Sequence, residues 1–315
     1  MNIFLTAIFA FVFIFLCVIT GIFIYIFRRR STARIGDLES SENKVLEPYK
    51  DTLRNGMKYI NEAPHEWVFI ESYDKLKLAA RFFPCEDSGK NKNKVIILFH
   101  GYRSAGSRDY CCAVKMYHEN GFNVLLIDQR SHGKSEGKLI TFGVKESLDA
   151  VSWVKYICHR FGERTPIFLS GLSMGATTVM LATGRNLPKN VCGVVADCGF
   201  TSPAEIISLV ARKNFHIKSV LLIRILDLMC RIVANFSLYE MSTEEILKKS
   251  DIPIMFIHGL EDGFVPCEMS IRSHKAAKAE KYIYLIEHAT HGCSFLVEPQ
   301  TISDALRKFF EKYGQ

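Results

Sequence analysis

Several signatures are missing from this sequence, and each absence speaks against a class of function. Ten cysteines are present, but none forms a C-x-x-C pair. Apart from adjacent Cys111 and Cys112 they are scattered, and Cys17, Cys158, Cys192 and Cys230 sit in apolar runs. A zinc site needs clustered ligands, and a disulfide framework belongs to small secreted domains. Free thiols in a reducing compartment are the expectation. No Gly-rich phosphate loop, metal motif or G-x-G-x-x-G fingerprint occurs, so no cofactor or metal is expected. There is no internal repeat and no basic stripe interleaved with aromatics. The formal charge of +7 comes largely from scattered lysines and the cluster Arg28-Arg29-Arg30. That is a mildly basic surface and not a nucleic-acid interface.

Charge is wholly absent from residues 2–27, NIFLTAIFAFVFIFLCVITGIFIYIF. As a helix this run reaches about 39 Å, enough to cross a hydrocarbon core of ~30 Å with some tilt. A cleaved signal peptide would need a basic start and an A-x-A-like site. Neither is present. Residues 1–27 are therefore expected to be an uncleaved transmembrane anchor standing outside the fold. Arg28, Arg29, Arg30 and Arg34 follow it and no cation precedes it, which places the body on the cytoplasmic side. A single span discourages a transporter. Residues 28–65 form a polar connector, in which Leu46, Tyr49, Leu53, Met57 and Ile60 recur at helical spacing. That apolar face is expected to dock on the body.

The remaining 66–315 suits one large domain. Apolar runs at 66–72, 76–84, 94–101, 121–130, 165–171, 191–199, 251–259 and 281–288 read as strands. Helical stretches lie around 109–120, at 141–161, from about 173, and at 302–313. Strand–helix alternation with doubly buried strands predicts an α/β fold, with a mainly parallel sheet covered on both faces. The first two strands lack a helix between them and predict an antiparallel edge hairpin. Residues 202–250 contain no convincing strand. Ser202-Pro203-Ala204-Glu205 reads as a capping-box start with proline at the first helical position. The apolar helices that follow are expected to cap the sheet's C-terminal edge.

Between the fifth strand and its helix stands Gly171-Leu172-Ser173-Met174-Gly175. G-x-S-x-G alone is a weak signal, but a strand-to-helix junction is what a nucleophile elbow requires. A serine needs a base to take its proton, and a histidine base needs a carboxylate to orient it. Later strand ends offer Asp197, Glu261 and Asp262 as acids. His288 and His291 are the candidate bases.

With these residues the chain from about 66 onward resembles the α/β-hydrolase fold serine hydrolases, particularly bacterial membrane-anchored members of the serine aminopeptidase/esterase-like group. His100-Gly101-Tyr102 resembles their oxyanion loop. Asp128-Gln129-Arg130-Ser131-His132-Gly133-Lys134-Ser135 resembles D-x-R-G-H-G-x-S, with Ser131 in place of glycine. Phe142-Gly143 with Glu146 and Asp149 resembles the helix start that follows. The segment 258–266 fits H-G-x-x-D-x-x-V-P, and His291-Gly292-Cys293-Ser294 fits the final histidine loop. Lys75 stands where relatives often carry glycine.

The resemblance implies Ser173 as nucleophile, His291 as base and Asp262 as orienting acid. It implies the backbone N–H groups of Tyr102 and Met174 as oxyanion donors. His100 and His132 become structural, bonding loop backbone. Asp197 supports the loop to the cap, and the ring of His288 points sideways into the fold. The implied reaction is acyl transfer to water. Apolar cap residues (Ile206, Ile207, Leu209, Val210, Leu221, Leu222, Ile225, Leu226) and the anchor suggest a small-molecule or lipid-like ester or thioester with a lipophilic acyl part. An aminopeptidase or amidase is the alternative, and would need an acidic residue near the site, such as Glu205 or Glu240. A membrane-tethered binding module without catalysis is the alternative from another class. The oligomeric state is left open.

Overall fold

The fold is seen in a computed structural model that describes residues 3–29, 46–85 and 94–314. Arg30, Arg34 and much of the connector lie outside the described residues. All eight expected strands are present: β1 Glu66–Glu71, β2 Lys77–Phe83, β3 Val95–Phe99, β4 Asn123–Asp128, β5 Ile167–Leu172, β6 Val191–Asp197, β7 Ile254–Gly259 and β8 Lys281–Ile286. They form one sheet in the order β1-β2-β4-β3-β5-β6-β7-β8. β1 pairs antiparallel with β2, and β2 with β4; the other pairings are parallel.

Strand periodicity divides the core in two. Val95, Ile97 and Phe99 of β3 pack on one face with Trp153 and Val154. Ile96 and Leu98 face the other way, toward Phe122, Phe168, Phe309 and Phe310. The covering helices, in chain order, are α1 Ile3–Phe27, α2 Lys50–Glu62, α3 Gly106–Asp109, α4 Ala113–Glu119, α5 Glu146–Phe161, α6 Met174–Ala182, α7 Pro203–Phe215, α8 Val220–Met229, α9 Thr243–Leu247, α10 Cys267–Ala276, α11 Ser294–Val297 and α12 Pro299–Tyr313. Met57 and Ile60 of α2 are buried against the body, on the face its spacing predicted. All ten cysteines are free thiols.

Three local expectations shift. The helix expected over 141–161 begins at Glu146. The Glu146 carboxylate folds back to accept the N–H groups of Thr141 and Gly143, both at 2.9 Å, and closes 141–145 as a loop. The stretch 109–120 breaks into α3 and α4 at Tyr110–Cys112. There the Tyr110 hydroxyl reaches the carbonyls of Phe99 and Ser170, each at 3.1 Å. Leu221, expected to turn into the cap, is exposed, because α8 presents Ile223 and Leu226 inward.

Both departures from the family pattern fall where the backbone is left-handed. Lys75 has φ 70° and Ser131 φ 64°. Glycine adopts this region freely, whereas an L side chain pays roughly 1–2 kcal/mol there.

The largest difference concerns α1. Its outer part is exposed, but its last turns join the body. Ile19, Phe23 and Phe27 are buried, and the two phenylalanines enter a third core cluster with Phe142, Phe200, Ile223, Leu226 and Phe236. The spacing of Ile19, Phe23 and Phe27, four and eight residues apart, is one helical face. An uncharged, almost wholly apolar run disguises that face, so the sequence expectation of a separate anchor misses it.

Candidate active site

The chain leaves β5 through a turn in which Ser173 has φ 56° and ψ −115°. That strain is tolerated because the neighbours permit a very close approach. A Cβ on Gly171 would stand 2.1 Å from the Gly175 carbonyl oxygen, and one on Gly175 would stand 1.8 Å from that of Phe99. Both positions require glycine. The Ser173 N–H donates to the Asp197 carbonyl at 2.8 Å, pinning the turn to β6.

His291 stands over this turn. Its Nε2 lies 2.9 Å from Ser173 Oγ, and its Nδ1 lies 2.6 Å from Asp262 Oδ2. Asp262 is fully engaged. Oδ1 accepts the N–H groups of Phe264 and Val265, each at 2.8 Å, and Oδ2 also lies 3.1 Å from His258 Nε2. Burial disfavours the ionised carboxylate. Hydrogen bonds from His258 and His291, the charge of His291 and the Val265 N–H outweigh it, and hold the carboxyl well below its usual range. The Phe264 ring packs on the His291 imidazole, 5.1 Å between centroids.

The competing residues separate clearly. Glu261 pairs with His288 at 3.0 Å, and both are solvent-exposed. The His288 ring thus points outward and not into the fold, because the backbone turns left-handed there, at φ 60°. Asp197 supports Ser173 through its carbonyl. Its carboxylate has one oxygen without a hydrogen bond, and burial raises its pKa to about 6. His100 Nδ1 bonds the Gly101 carbonyl, and its Nε2 accepts the Gln129 N–H. His132 Nδ1 bonds the Arg130 carbonyl, and its Nε2 accepts the Arg103 N–H. Burial, reinforced by His100, lowers the His132 pKa to about 3, so it serves the loop as a neutral ring.

Of the expected oxyanion groups, Met174 opens α6, where the first N–H groups have no partner within the helix. Tyr102 follows Gly101, whose Cβ position lies 3.5 Å from that of Ser173. The Tyr102 hydroxyl donates to the Ile26 carbonyl of α1 at 2.6 Å, and its ring stacks on Phe142.

Three contributors went unassigned by sequence reasoning. His258 buttresses Asp262 from below, with its Nδ1 accepting the Ser270 hydroxyl at 2.7 Å. Its signal is the spacing of four residues before Asp262. Asp109 holds the loop after β3 by accepting the Gly101 N–H at 2.7 Å and the Ser104 hydroxyl. No local motif marks it. Arg130 bridges the hairpin turn and α5 by pairing with Asp74 at 2.9 Å and Asp149 at 2.6 Å. Its place in the D-x-R turn marks it.

Two cavities meet at Ser173. One, of about 320 Å³, is a mixed cleft lined by Gly101, Tyr102, Asp109, Asp197 and His291 and reached by Leu46 and Leu53 of the connector. The other, of about 660 Å³, is almost entirely apolar and runs between cap and α1. Glu205 lines neither. It pairs with Arg272 at 2.6 Å on the far side of α7. Glu240 accepts the Ser237 N–H and is exposed. Sγ of Cys198 shares a cluster with ligand atoms of Asp262 and His291 that lie within 4.8 Å of one another. Burial raises that thiol's pKa well above normal, and the other two atoms already bond each other, so the cluster is poorly suited to a metal.

The comparisons agree with this architecture. The family model "Serine aminopeptidase, S33" matches residues 90–226. The uncharacterized protein YqkD of Bacillus subtilis is 27% identical over 61% of this chain and 63% of its own length, so the match spans under two thirds of that relative. Protein bem46 of Schizosaccharomyces pombe is 23% identical over 77% of this chain and 76% of its own. Among solved structures, the Pyrococcus furiosus esterase Pf2001 covers 80% of this chain and 94% of its own at 24% identity, with a TM-score of 0.63. The ferulic acid-bound Est1E of Butyrivibrio proteoclasticus covers 78% and 98% at 22% identity, with a TM-score of 0.61. The chain therefore has an α/β-hydrolase fold related to esterases and S33-type peptidases, with one N-terminal apolar helix long enough to span a membrane.

Proposed function

We propose that this protein is a membrane-anchored serine hydrolase that cleaves a carboxylic ester or thioester with a lipophilic acyl part. Its body, residues 66–315 with the 202–250 cap, faces the cytoplasm. Ser173 attacks the carbonyl carbon while His291 Nε2 takes its proton. Asp262 stabilises the resulting imidazolium and fixes the ring. The N–H groups of Tyr102 and Met174 receive the developing oxyanion, a contribution typically worth about 10²–10³ in rate per donor. His291 then protonates the leaving group and activates water to release the acid.

The observation that carries this reading is the continuous hydrogen-bonded chain Ser173–His291–Asp262 at a strained elbow. The apolar cavity on one side of Ser173 favours an acyl chain, and the more polar cleft suits the leaving group. The aminopeptidase alternative loses the two anchors named for it, because Glu205 and Glu240 line neither cavity.

A fluorophosphonate probe tests the reading. It should label the wild type and leave Ser173→Ala unlabelled; a folded wild type that resists the probe points to the non-catalytic binding module. Nitrophenyl esters of graded chain length, run beside aminoacyl anilides, separate esterase from peptidase. An impermeant thiol reagent applied to intact cells should leave the body cysteines unmodified. Labelling would put the body outside.

A further inference from the structure

The apolar cavity at Ser173 has an unusual wall. Val18, Gly21, Ile22 and Tyr25 line it, at the spacing of a single helical face, beside the face that Phe23 and Phe27 bury in the body. Across from them stand Ile206, Ile207, Val210, Leu222 and Leu226 of the cap. The helix is fastened here. Tyr102 and Arg103 donate to the last carbonyls of α1, those of Ile26 and Tyr25, and Ile140 N–H donates to Phe27 at 2.8 Å. The same loop that would supply an oxyanion donor thus grips the end of the apolar helix.

Length decides where this wall lies relative to a bilayer. The apolar helix long enough to span is Phe4–Phe27, and any ~30 Å stretch of it, about 20 residues, includes Val18, Gly21 and Ile22. If α1 crosses the membrane, the cavity-lining turns must begin within hydrocarbon. The rim is fit for that position: Val18, Tyr25, Phe215 and Ile217 line the cavity yet are exposed, and Val220 and Leu221 continue the apolar surface onto the cap. Water is a poor neighbour for such a continuous surface. The adjoining turn carries Lys218, a cation suited to headgroup level.

Resting on the hydrolase reading above, we infer that α1 is one wall of the acyl subsite, and that the substrate is a bilayer lipid ester whose chain passes between α1 and the cap to reach Ser173. The acyl chain need not leave hydrocarbon to be cleaved.

The test uses the full chain in phosphatidylcholine vesicles. Rates of Ser173 modification are measured with fluorophosphonates bearing a butyl or a hexadecyl chain. Taking each methylene out of water contributes about 0.8 kcal/mol, so the bilayer concentrates the long probe beside the cavity, and the wild type should react with it at least about tenfold faster than with the short one. Gly21 has nothing within 4 Å of its Cβ position, so the series Gly21→Ala, Gly21→Leu and Gly21→Trp fills the cavity stepwise. The long-chain advantage should shrink with side-chain size and vanish in Gly21→Trp. Ile24→Trp, on the exposed side of α1, should keep the wild-type ratio. A ratio unchanged across the Gly21 series overturns the inference while leaving the hydrolase reading intact. A graded fall of both rates together also overturns it, because α1 would then be a structural brace. A wild type that reacts with neither probe removes the hydrolase reading itself and this inference with it.

Discussion

Ser173 lies between two regions built by different rules. On the sheet side, loops leaving β3, β5 and β7 and the loop after β8 gather polar groups, and nearly every one has a fixed partner. On the cap side, α1, α7 and α8 supply apolar side chains and little else. The first region has exact directions and little room. The second has volume and few directional contacts. On the proposed reading, reaction type is written in hydrogen bonds and acyl selectivity in shape, and the two can be changed separately.

The sharpest way to break that division is at the polar side. Ser173→Ala should remove about 10⁴-fold or more of turnover on esters of every chain length. Asp262→Asn should cost about 10⁴, since the wrong tautomer of His291 is then favoured. His291→Ala should lose at least about 10³, while exposed His288→Ala stays within about tenfold. Steady-state kinetics on short and long nitrophenyl esters checks all four. Dependence of these losses on chain length would mean that the two regions are not separable. The next effect is on stability. Phe27 is fully buried against Phe142 and Phe236, so Phe27→Ala should cost about 3–5 kcal/mol. A melting temperature unchanged from wild type would return α1 to the role of a plain tether.

The two regions also differ in how far the sequence discloses them. Buried parallel strands are short apolar runs, so all eight could be placed, and the residues that end them fall where catalytic groups must sit. Ser173, Asp262 and His291 are legible because each follows such a run with a motif around it. His258 is half legible, since its motif is visible but its task depends also on Ser270, which folds back from beyond the motif. Asp109 lies on a helix of one turn with no periodicity to mark it. On the cap side the difficulty is reversed. Phe23, Phe27 and Gly21 belong to an uncharged, almost wholly apolar run, so nothing distinguishes a face turned to lipid from one turned to protein. Leu221 misleads for the same reason.

Asp197 probes the floor of the polar side with a smaller effect. Its pKa of about 6 exceeds the ordinary value of 3.8 because of burial. Between those values the folded protein keeps a proton that the unfolded chain releases, so stability falls as pH rises through that window. Asp197→Asn carries no charge at any pH. It should raise stability above pH 6 by about 1–3 kcal/mol, and the gain should disappear below about pH 4. Thermal melts at both ends of the window check it. An equal gain at both pH values would mean that the carboxylate is not the source.

The smallest effect lies outside both regions, at the turn between β1 and β2. Lys75 holds φ 70°, and its ion pair with Glu71 is exposed on both sides, so that pair contributes little. Lys75→Gly relieves the left-handed strain but gives the unfolded chain more freedom. The two terms oppose each other, and strain is the larger at this φ. Lys75→Gly should therefore stabilise by up to about 1 kcal/mol, with kcat and chain-length preference both unchanged. A loss of stability would show that the Lys75–Glu71 pair outweighs the turn's backbone preference. A shift in chain-length preference would show that the edge hairpin communicates with the cap, and that acyl selectivity is not confined to the cavity walls.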